Sequence, residues 1–185
     1  MTAFIIIWSL WFLSEILLNR LFRSSGDDKK DLDRGTMRII WITIGVANSL
    51  GIICVFYVKL PISSIIIIPY LGLVLITFGI LFRFYSILSL GKFFTVDVTI
   101  RKNHKVKKDG IYRFIRHPSY LGSILSFIGF GISLNNWISL IIISIMVTLA
   151  MLNRIRIEER LLQEQFGLEY SDYMKKTYRL FPWIY

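Results

Sequence analysis

The chain has 185 residues, of which 55% are hydrophobic and 15% aromatic, and its formal net charge is +10. This composition is too apolar for an ordinary soluble domain of that size, so it favours a membrane protein. The positive charges lie between apolar runs, which is typical of membrane proteins and argues against a nucleic-acid partner. The single cysteine cannot form an intrachain disulfide, and with only two histidines we expect no metal site.

Five apolar segments follow one another along the chain, and they cover residues 4–18, 39–58, 62–82, 120–134 and 137–152. A membrane-spanning helix needs roughly 20 apolar residues, and the second and third segments meet that length. The fourth and fifth are short, and only Asn135 and Asn136 separate them, which predicts a helical hairpin. We therefore predict an all-α membrane protein with about five transmembrane helices.

The distribution of lysine and arginine predicts the orientation. Residues 19–38 carry six, residues 83–118 carry nine and residues 153–185 carry six, so Lys59 is the only one elsewhere. With five spans, the three rich segments fall on one side of the membrane, which the positive-inside rule assigns to the cytoplasm. The N-terminus is then predicted outside, and the C-terminus in the cytoplasm.

The most varied chemistry lies in "GIYRFIRHPSYLG", residues 110–122, which runs into the start of the fourth span. Pro118 disfavours a helical conformation at His117 and can itself begin a helix. Tyr120 then lies in the first turn, where free backbone N–H groups offer a site for an anion such as a carboxylate. The lysines just upstream have a simpler interpretation as contacts to anionic lipid headgroups.

Small residues recur along the fourth span at spacings of three and four, on one helical face: Ser119, Gly122, Ser126, Gly129 and Ser133. Close packing against another helix is the interpretation we favour. A groove left open for an inserted ligand is the alternative.

Behind the fifth span, "NRIRIEERLLQEQFG" places Glu158 four residues after Arg154, on the same helical face, with Glu159 on a neighbouring face. Such pairs are usually surface ion pairs of little consequence. Here the pair follows directly on a span, where ionisable groups are costly and more often functional. Gly167 is predicted to end this helix.

Together, "FFTVDVTI", "GIYRFIRHPSYLG" and "NRIRIEERLLQEQFG" resemble the isoprenylcysteine carboxyl methyltransferase family of integral membrane enzymes, over roughly residues 83–182. The resemblance implies S-adenosylmethionine as methyl donor and a cofactor pocket at the cytoplasmic face, formed by the loop before span four and the C-terminal helix. It implies a lipophilic or prenylated substrate whose carboxylate is methylated. The chain would then divide into three N-terminal spans with a polar loop at 19–38 (residues 1–82), and a methyltransferase core (residues 83–185) with the hairpin 119–152 and a C-terminal interfacial helix.

The resemblance also implies roles for individual residues. Arg154 would face the acceptor carboxylate and Glu158 would hold the polar end of the cofactor, and these two are the predicted catalytic residues. The other residues predicted to border the cofactor are His104, Lys105, Val106, Lys107, Tyr112, His117, Pro118, Ser119 and Tyr120. The sequence departs from the family where "KVKKDG" replaces an apolar pair, so Lys107 would contribute its backbone rather than its side chain.

Three alternatives stay open at this point: methylation of a phospholipid amine, a nicotinamide-dependent sterol or isoprenoid reductase, and a non-enzymatic membrane scaffold. Apart from membrane lipid and the substrate, no partner is indicated, and the sequence leaves the oligomeric state open. The transferase hypothesis requires that the segment before span four and the segment after span five fold together into one cavity.

Overall fold

The computed structural model describes residues 2–21, 35–91 and 106–182. These segments contain six α-helices and one 3₁₀ turn at Gly110–Arg113. The helices are α1 (Thr2–Leu21), α2 (Thr36–Tyr57), α3 (Ile67–Leu90), α4 (Pro118–Ser133), α5 (Trp137–Phe166) and α6 (Leu168–Lys176).

Four of these helices, α1, α2, α3 and α5, are long and apolar enough to cross a membrane, while α4 is a shorter apolar helix of 16 residues. Large apolar side chains such as Ile6, Phe56, Val74 and Leu149 are more than half exposed on the outside of the bundle. Exposed apolar surface on this scale is typical of helices that contact lipid. The chain is therefore a multi-pass integral membrane protein.

The helices differ from the predicted spans at several places, and α3 in particular ends at Leu90 rather than at residue 82. The third begins at Ile67 rather than at residue 62, because the backbone N–H of Ile62 donates to Asn135 O (3.4 Å) and that of Ser63 to Asn135 Oδ1 (3.2 Å). The fifth span and the helix behind it form one continuous helix, since no proline or glycine interrupts residues 137–166. Gly167 follows with φ 53°, which confirms that it ends the helix.

The hairpin predicted at Asn135 and Asn136 is confirmed. Asn135 adopts φ 49°, a conformation that asparagine tolerates better than most residues. The side chain of Asn136 caps α5 by accepting from the Ser139 N–H (3.1 Å), and its amide donates to Val58 O (2.6 Å). The turn between α4 and α5 is thereby bonded to the end of α2.

The small-residue face of α4 packs directly against α3, as we favoured. A Cβ atom added to Gly72 would lie 2.6 Å from Gly129 O, and one added to Gly79 would lie 2.6 Å from Gly122 O. Real Cβ atoms do not approach that closely, so only glycine permits this contact between backbones. The face is therefore filled by α3 between Gly122 and Ser133, which leaves no open groove along that stretch.

Two aromatic residues of α1 close the core over the other side of α4. Trp11 lies 4.7 Å from Phe127 between ring centroids, in an edge-to-face arrangement, and Trp8 lies 5.2 Å from Phe130. Such pairs add about 0.5–1.5 kcal/mol each to the stability that burial provides.

One end of the bundle, opposite the α4–α5 turn, is formed by five helix segments. These are the end of α1, the start of α2, the end of α3, the start of α4 and the polar half of α5.

Candidate active site

Residues 114–117, which we call the pre-α4 segment, pair with residues 177–182, which we call the C-terminal segment. Ile115 and Tyr178 form a parallel bridge, in which Arg116 N–H donates to Tyr178 O (2.9 Å) and Tyr178 N–H to Phe114 O (2.9 Å). One residue further on, His117 N–H donates to Arg179 O (3.2 Å). The stretch before span four and the stretch behind span five therefore fold together.

A buried carboxylate fastens these two segments to α5. Glu159 accepts from Arg116 Nε (2.9 Å) and Arg179 Nη2 (2.7 Å), and its Oε1 lies 3.2 Å from His117 Nε2. Its side chain is only 4% exposed, and that of Arg116 is 8% exposed. We call these four residues the clamp. A buried carboxylate is tolerated only when it is compensated by such partners.

Arg116 also binds the backbone where the chain leaves α6. Its Nη1 donates to Met174 O (3.0 Å) and to the carbonyl oxygen of Thr177. Met174 lies in the last turn of α6 and Thr177 directly follows the helix, so neither carbonyl has an intrahelical donor. One guanidinium thus joins the pre-α4 segment, α5 and the end of α6.

Next to the clamp, the hydroxyl of Tyr120 joins the two predicted catalytic residues. Tyr120 OH donates to Glu158 Oε2 (2.8 Å) and accepts from Arg154 Nε (2.9 Å). A phenol can do both at once, because it carries one donor and two acceptor positions. Arg154 Nη1 donates further to Thr36 Oγ1 (2.6 Å) at the start of α2. Arg154 is 1% exposed, so it is not part of a surface ion pair.

His117 is the clamp residue that also lies close to Tyr120 and Glu158. Its Nε2 faces Glu159 of the clamp, and its Nδ1 lies 3.9 Å from Glu158 Oε1. The His117 and Tyr120 rings are 5.8 Å apart between centroids. Glu158 has 28% of its side chain exposed, in contrast to 4% for His117 and Glu159. Glu158 is therefore the most exposed charged side chain among these residues, followed by Arg179 at 20%.

The other residues predicted to border the cofactor occupy several different places. Pro118 occupies the start of α4, as expected, and Ser119 O accepts from Arg83 Nη1 (3.2 Å). Lys107 pairs with Asp109 (3.1 Å), and Val106 precedes it in a non-helical segment. His104 and Lys105 lie outside the described residues, as does most of the polar loop at 19–38.

Tyr112 lies in the 3₁₀ turn and is directed away from solvent. Its hydroxyl donates to Ser86 O (3.1 Å) on α3, and its carbonyl accepts from Tyr173 OH (2.6 Å) on α6. Burial raises the pKa of Tyr112, and burial likewise raises the pKa of Tyr170 and of Tyr173 above the ordinary tyrosine value. These phenols therefore stay neutral at physiological pH, and those of Tyr112 and Tyr173 donate the hydrogen bonds that hold the turn in place.

Sequence reasoning missed several residues that build the site: Thr36, Arg83, Arg116 and Arg179. Arg116 directly precedes His117 in the quoted motif, so considering the residues next to His117 would have identified it. Thr36 is 118 positions from Arg154 in the chain, and no local pattern links the two. Glu159 was noted only as a residue on a neighbouring face, although it makes more charged contacts than Glu158.

The fold and this cluster define a multi-pass membrane protein with a buried polar site at one end of its helix bundle. Residues 71–164 match the profile of the isoprenylcysteine carboxyl methyltransferase (ICMT) family, and the chain belongs to that family. The resemblance seen in the sequence motifs is thereby confirmed, although the matched range begins at residue 71 rather than 83 and ends at 164 rather than 182.

Individual relatives agree with the family match. The chain is 30% identical over 119 residues to a probable protein-S-isoprenylcysteine O-methyltransferase of Oryza sativa subsp. indica, and 35% identical over 116 residues to the protein-S-isoprenylcysteine O-methyltransferase of Saccharomyces cerevisiae. These matches cover 63% and 62% of this chain, but only 62% and 48% of the two relatives. A solved structure of the eukaryotic intramembrane Ras methyltransferase ICMT is similar with a TM-score of 0.66 and 27% identity, over 78% of this chain and 52% of that one.

Proposed function

We propose that this protein is an integral membrane S-adenosylmethionine-dependent methyltransferase that methylates the carboxylate of a lipophilic, isoprenylcysteine-like substrate. One observation carries the proposal: the pre-α4 segment and the C-terminal segment pair beside Arg154, Tyr120 and Glu158, in a chain of the ICMT family. The chain spans only about half to three fifths of the relatives' length, so the activity is inferred from the site as well as from the likeness.

The residues of the cluster fit the polar end of the proposed cofactor. The amino-acid part of S-adenosylmethionine carries one ammonium group and one carboxylate. Glu158, with 28% of its side chain exposed, offers a carboxylate for the ammonium group. The start of α4 offers backbone N–H groups without intrahelical partners for the carboxylate, since its first turn begins at Pro118. His117, Ser119 and Tyr120 border that position.

When bound, the cofactor supplies a methyl group on a positively charged sulfur, which an ionised acceptor oxygen displaces in line. The acceptor carboxylate needs no general base, because carboxylic acids in peptides have a pKa of about 4 and are already ionised at neutral pH. The protein therefore has to align the acceptor rather than deprotonate it. Arg154 is suited to that task, since a guanidinium can bind a carboxylate through two parallel N–H groups. Its contacts with Tyr120 and Thr36 fix the plane of the guanidinium.

Burial of the cluster is favourable for this chemistry. A sulfonium and a carboxylate lose charge as they react, so a site with little water disfavours the separated charges more than the transition state. Arg154 is 1% and His117 4% exposed, and the buried apolar residues Met151 and Ile155 flank Arg154 on α5. A site at the membrane edge would also give a lipophilic tail an apolar path, while the cofactor would arrive from water.

We also propose that the site faces the cytoplasm and that the N-terminus is outside, because 21 of the 22 lysines and arginines then lie on the cytoplasmic side. Fusions of a reporter that is active only in the cytoplasm, placed after residue 59 and at the C-terminus, test this orientation. Activity at the C-terminus alone is expected, and activity after residue 59 alone would reverse the assignment.

The activity is tested with purified protein in lipid nanodiscs, S-adenosylmethionine with a radiolabelled methyl group, and an N-acetylated farnesylcysteine as acceptor. A methyl ester releases volatile methanol in mild base, whereas a methylated amine keeps its label. Base-labile label in the farnesylcysteine fraction is the expected result. Base-stable label in phosphatidylethanolamine would favour the phospholipid methyltransferase instead, and absence of any transfer would overturn the proposal.

Two test variants and two control variants, all on α5, examine the roles of Arg154 and Glu158. Arg154→Gln and Glu158→Gln should each lower turnover by about 100-fold or more, since misalignment by about 1 Å costs on that order. The matched controls are Arg156→Gln and Glu164→Gln, both at exposed positions of α5, and they should keep full activity. Wild-type turnover in Arg154→Gln or Glu158→Gln would refute the assigned roles.

A further inference from the structure

We infer that Arg83 is a positioning residue for the start of α4, and that Glu15 on α1 acts through Arg83. The inference rests on the proposed function, since it concerns how the same site is held. It assigns a role to α1, on which the sequence motifs gave no information. Glu15 also lies outside residues 71–164, the range that matches the family profile.

Arg83 bridges three helices with one side chain. Its Nη2 lies 3.3 Å from Glu15 Oε2 on α1, and its Nη1 donates to Ser119 O in the first turn of α4 (3.2 Å). The side chains are largely buried, with 13% of Arg83 and 16% of Glu15 exposed. Buried ionisable groups in a membrane helix bundle are costly, and the pairing compensates both charges, which indicates a role for the pair.

The backbone at Arg83 also touches α4 directly. A Cβ atom added to Gly122 would lie 2.8 Å from Arg83 N and 2.9 Å from Arg83 Cβ. Gly122 is one turn beyond Ser119, so α3 meets the first two turns of α4 both by backbone contact and by the Arg83 hydrogen bond. The residues bonded in this way directly adjoin Tyr120, whose hydroxyl holds Arg154 and Glu158.

Glu15 determines where the Arg83 guanidinium lies. Without a counterion, a buried arginine extends toward the membrane surface to reach water and lipid headgroups. The pair with Glu15 instead holds the guanidinium beside Ser119 O. Helix α1 also bonds to the far end of α4, where Trp8 Nε1 donates to Ser133 Oγ (3.1 Å). Helix α1 thus bonds the end of α4 directly and is linked to the start of α4 through Arg83.

The test is a double-mutant cycle in nanodiscs with Glu15→Gln, Arg83→Met and the double variant, and with exposed Arg20→Met on α1 as the control. We expect Arg83→Met to raise KM for S-adenosylmethionine about 10-fold and Glu15→Gln about 3-fold, with smaller changes in kcat, because the start of α4 borders the cofactor. The double variant should match Arg83→Met alone, since Glu15 acts through Arg83. Effects that multiply instead would overturn the inference.

A second measurement does not depend on activity. Hydrogen–deuterium exchange should accelerate in peptides covering residues 119–125 in both single variants, and stay unchanged in peptides covering 138–150 of α5. If Arg83→Met does not fold, Arg83→Lys takes its place in the cycle. Unchanged exchange at 119–125 would overturn the positioning role, whereas a wild-type protein that transfers no methyl group would overturn only the proposed function.

Discussion

Replacing Glu159 by glutamine tests the clamp that fastens the C-terminal segment to the pre-α4 segment. The substitution keeps the shape of the side chain and removes the charge that faces Arg116, His117 and Arg179 at 2.9, 3.2 and 2.7 Å. The 8% exposed guanidinium of Arg116 then loses its counterion. If the clamp is what holds the two segments together, their pairing should weaken while the helix bundle stays intact.

The expected magnitude follows from the burial of the partners. Breaking a buried ion pair by removing one partner costs about 3–5 kcal/mol, and we take about 3 because the glutamine oxygen can still accept and Arg179 is 20% exposed. Since 1.4 kcal/mol is a factor of ten, local opening should become about 100-fold more frequent. The unfolding of the whole protein should be affected much less.

Hydrogen–deuterium exchange of the paired backbone amides measures this opening. The N–H groups of Arg116, His117 and Tyr178 are bonded across the pairing, so their protection should fall by about 100-fold in Glu159→Gln. Glu164→Gln, an exposed change on the same helix, is the control and should leave protection unchanged. If protection in Glu159→Gln stays within about threefold of wild type, the clamp does not hold the segments and the reasoning is wrong.

Two further predictions concern other parts of the molecule. Tyr120→Phe removes only the hydroxyl that bonds Glu158 and Arg154, so calorimetry should show weaker binding of S-adenosylmethionine, by about 10-fold for one charged hydrogen bond, and unchanged affinity would make the start of α4 purely structural. Gly79→Ala places a Cβ 2.6 Å from Gly122 O and should destabilise the α3–α4 contact by about 1–3 kcal/mol in thermal unfolding. Gly45→Ala, where nothing lies within 4 Å, is its control, and equal melting temperatures for the two would contradict the packing argument.

Much of the fold followed from local patterns in the sequence. Each apolar run corresponds to a helix, because span length and polarity are properties of consecutive residues. The start of α4 at Pro118, the end of α5 at Gly167 and the turn at Asn135 and Asn136 were also predicted, since the conformational preferences of these residues act within one or two positions. The shared face of Arg154 and Glu158 follows from helical spacing alone.

The site required tertiary structure, because its contacts join residues that are far apart in the chain. Thr36 reaches Arg154, Glu15 reaches Arg83, and Arg179 reaches Glu159, and no local spacing relates these pairs. Burial decided which charged residues build the site. Glu159 on α5 and its partner Arg116 are nearly inaccessible, whereas Arg156 and Glu164, which also lie on α5, are exposed. The sequence by itself determined where the apolar helices lie along the chain and which residues are charged. Only the packing of the helices decided which of those charges lose their water and must therefore bind one another.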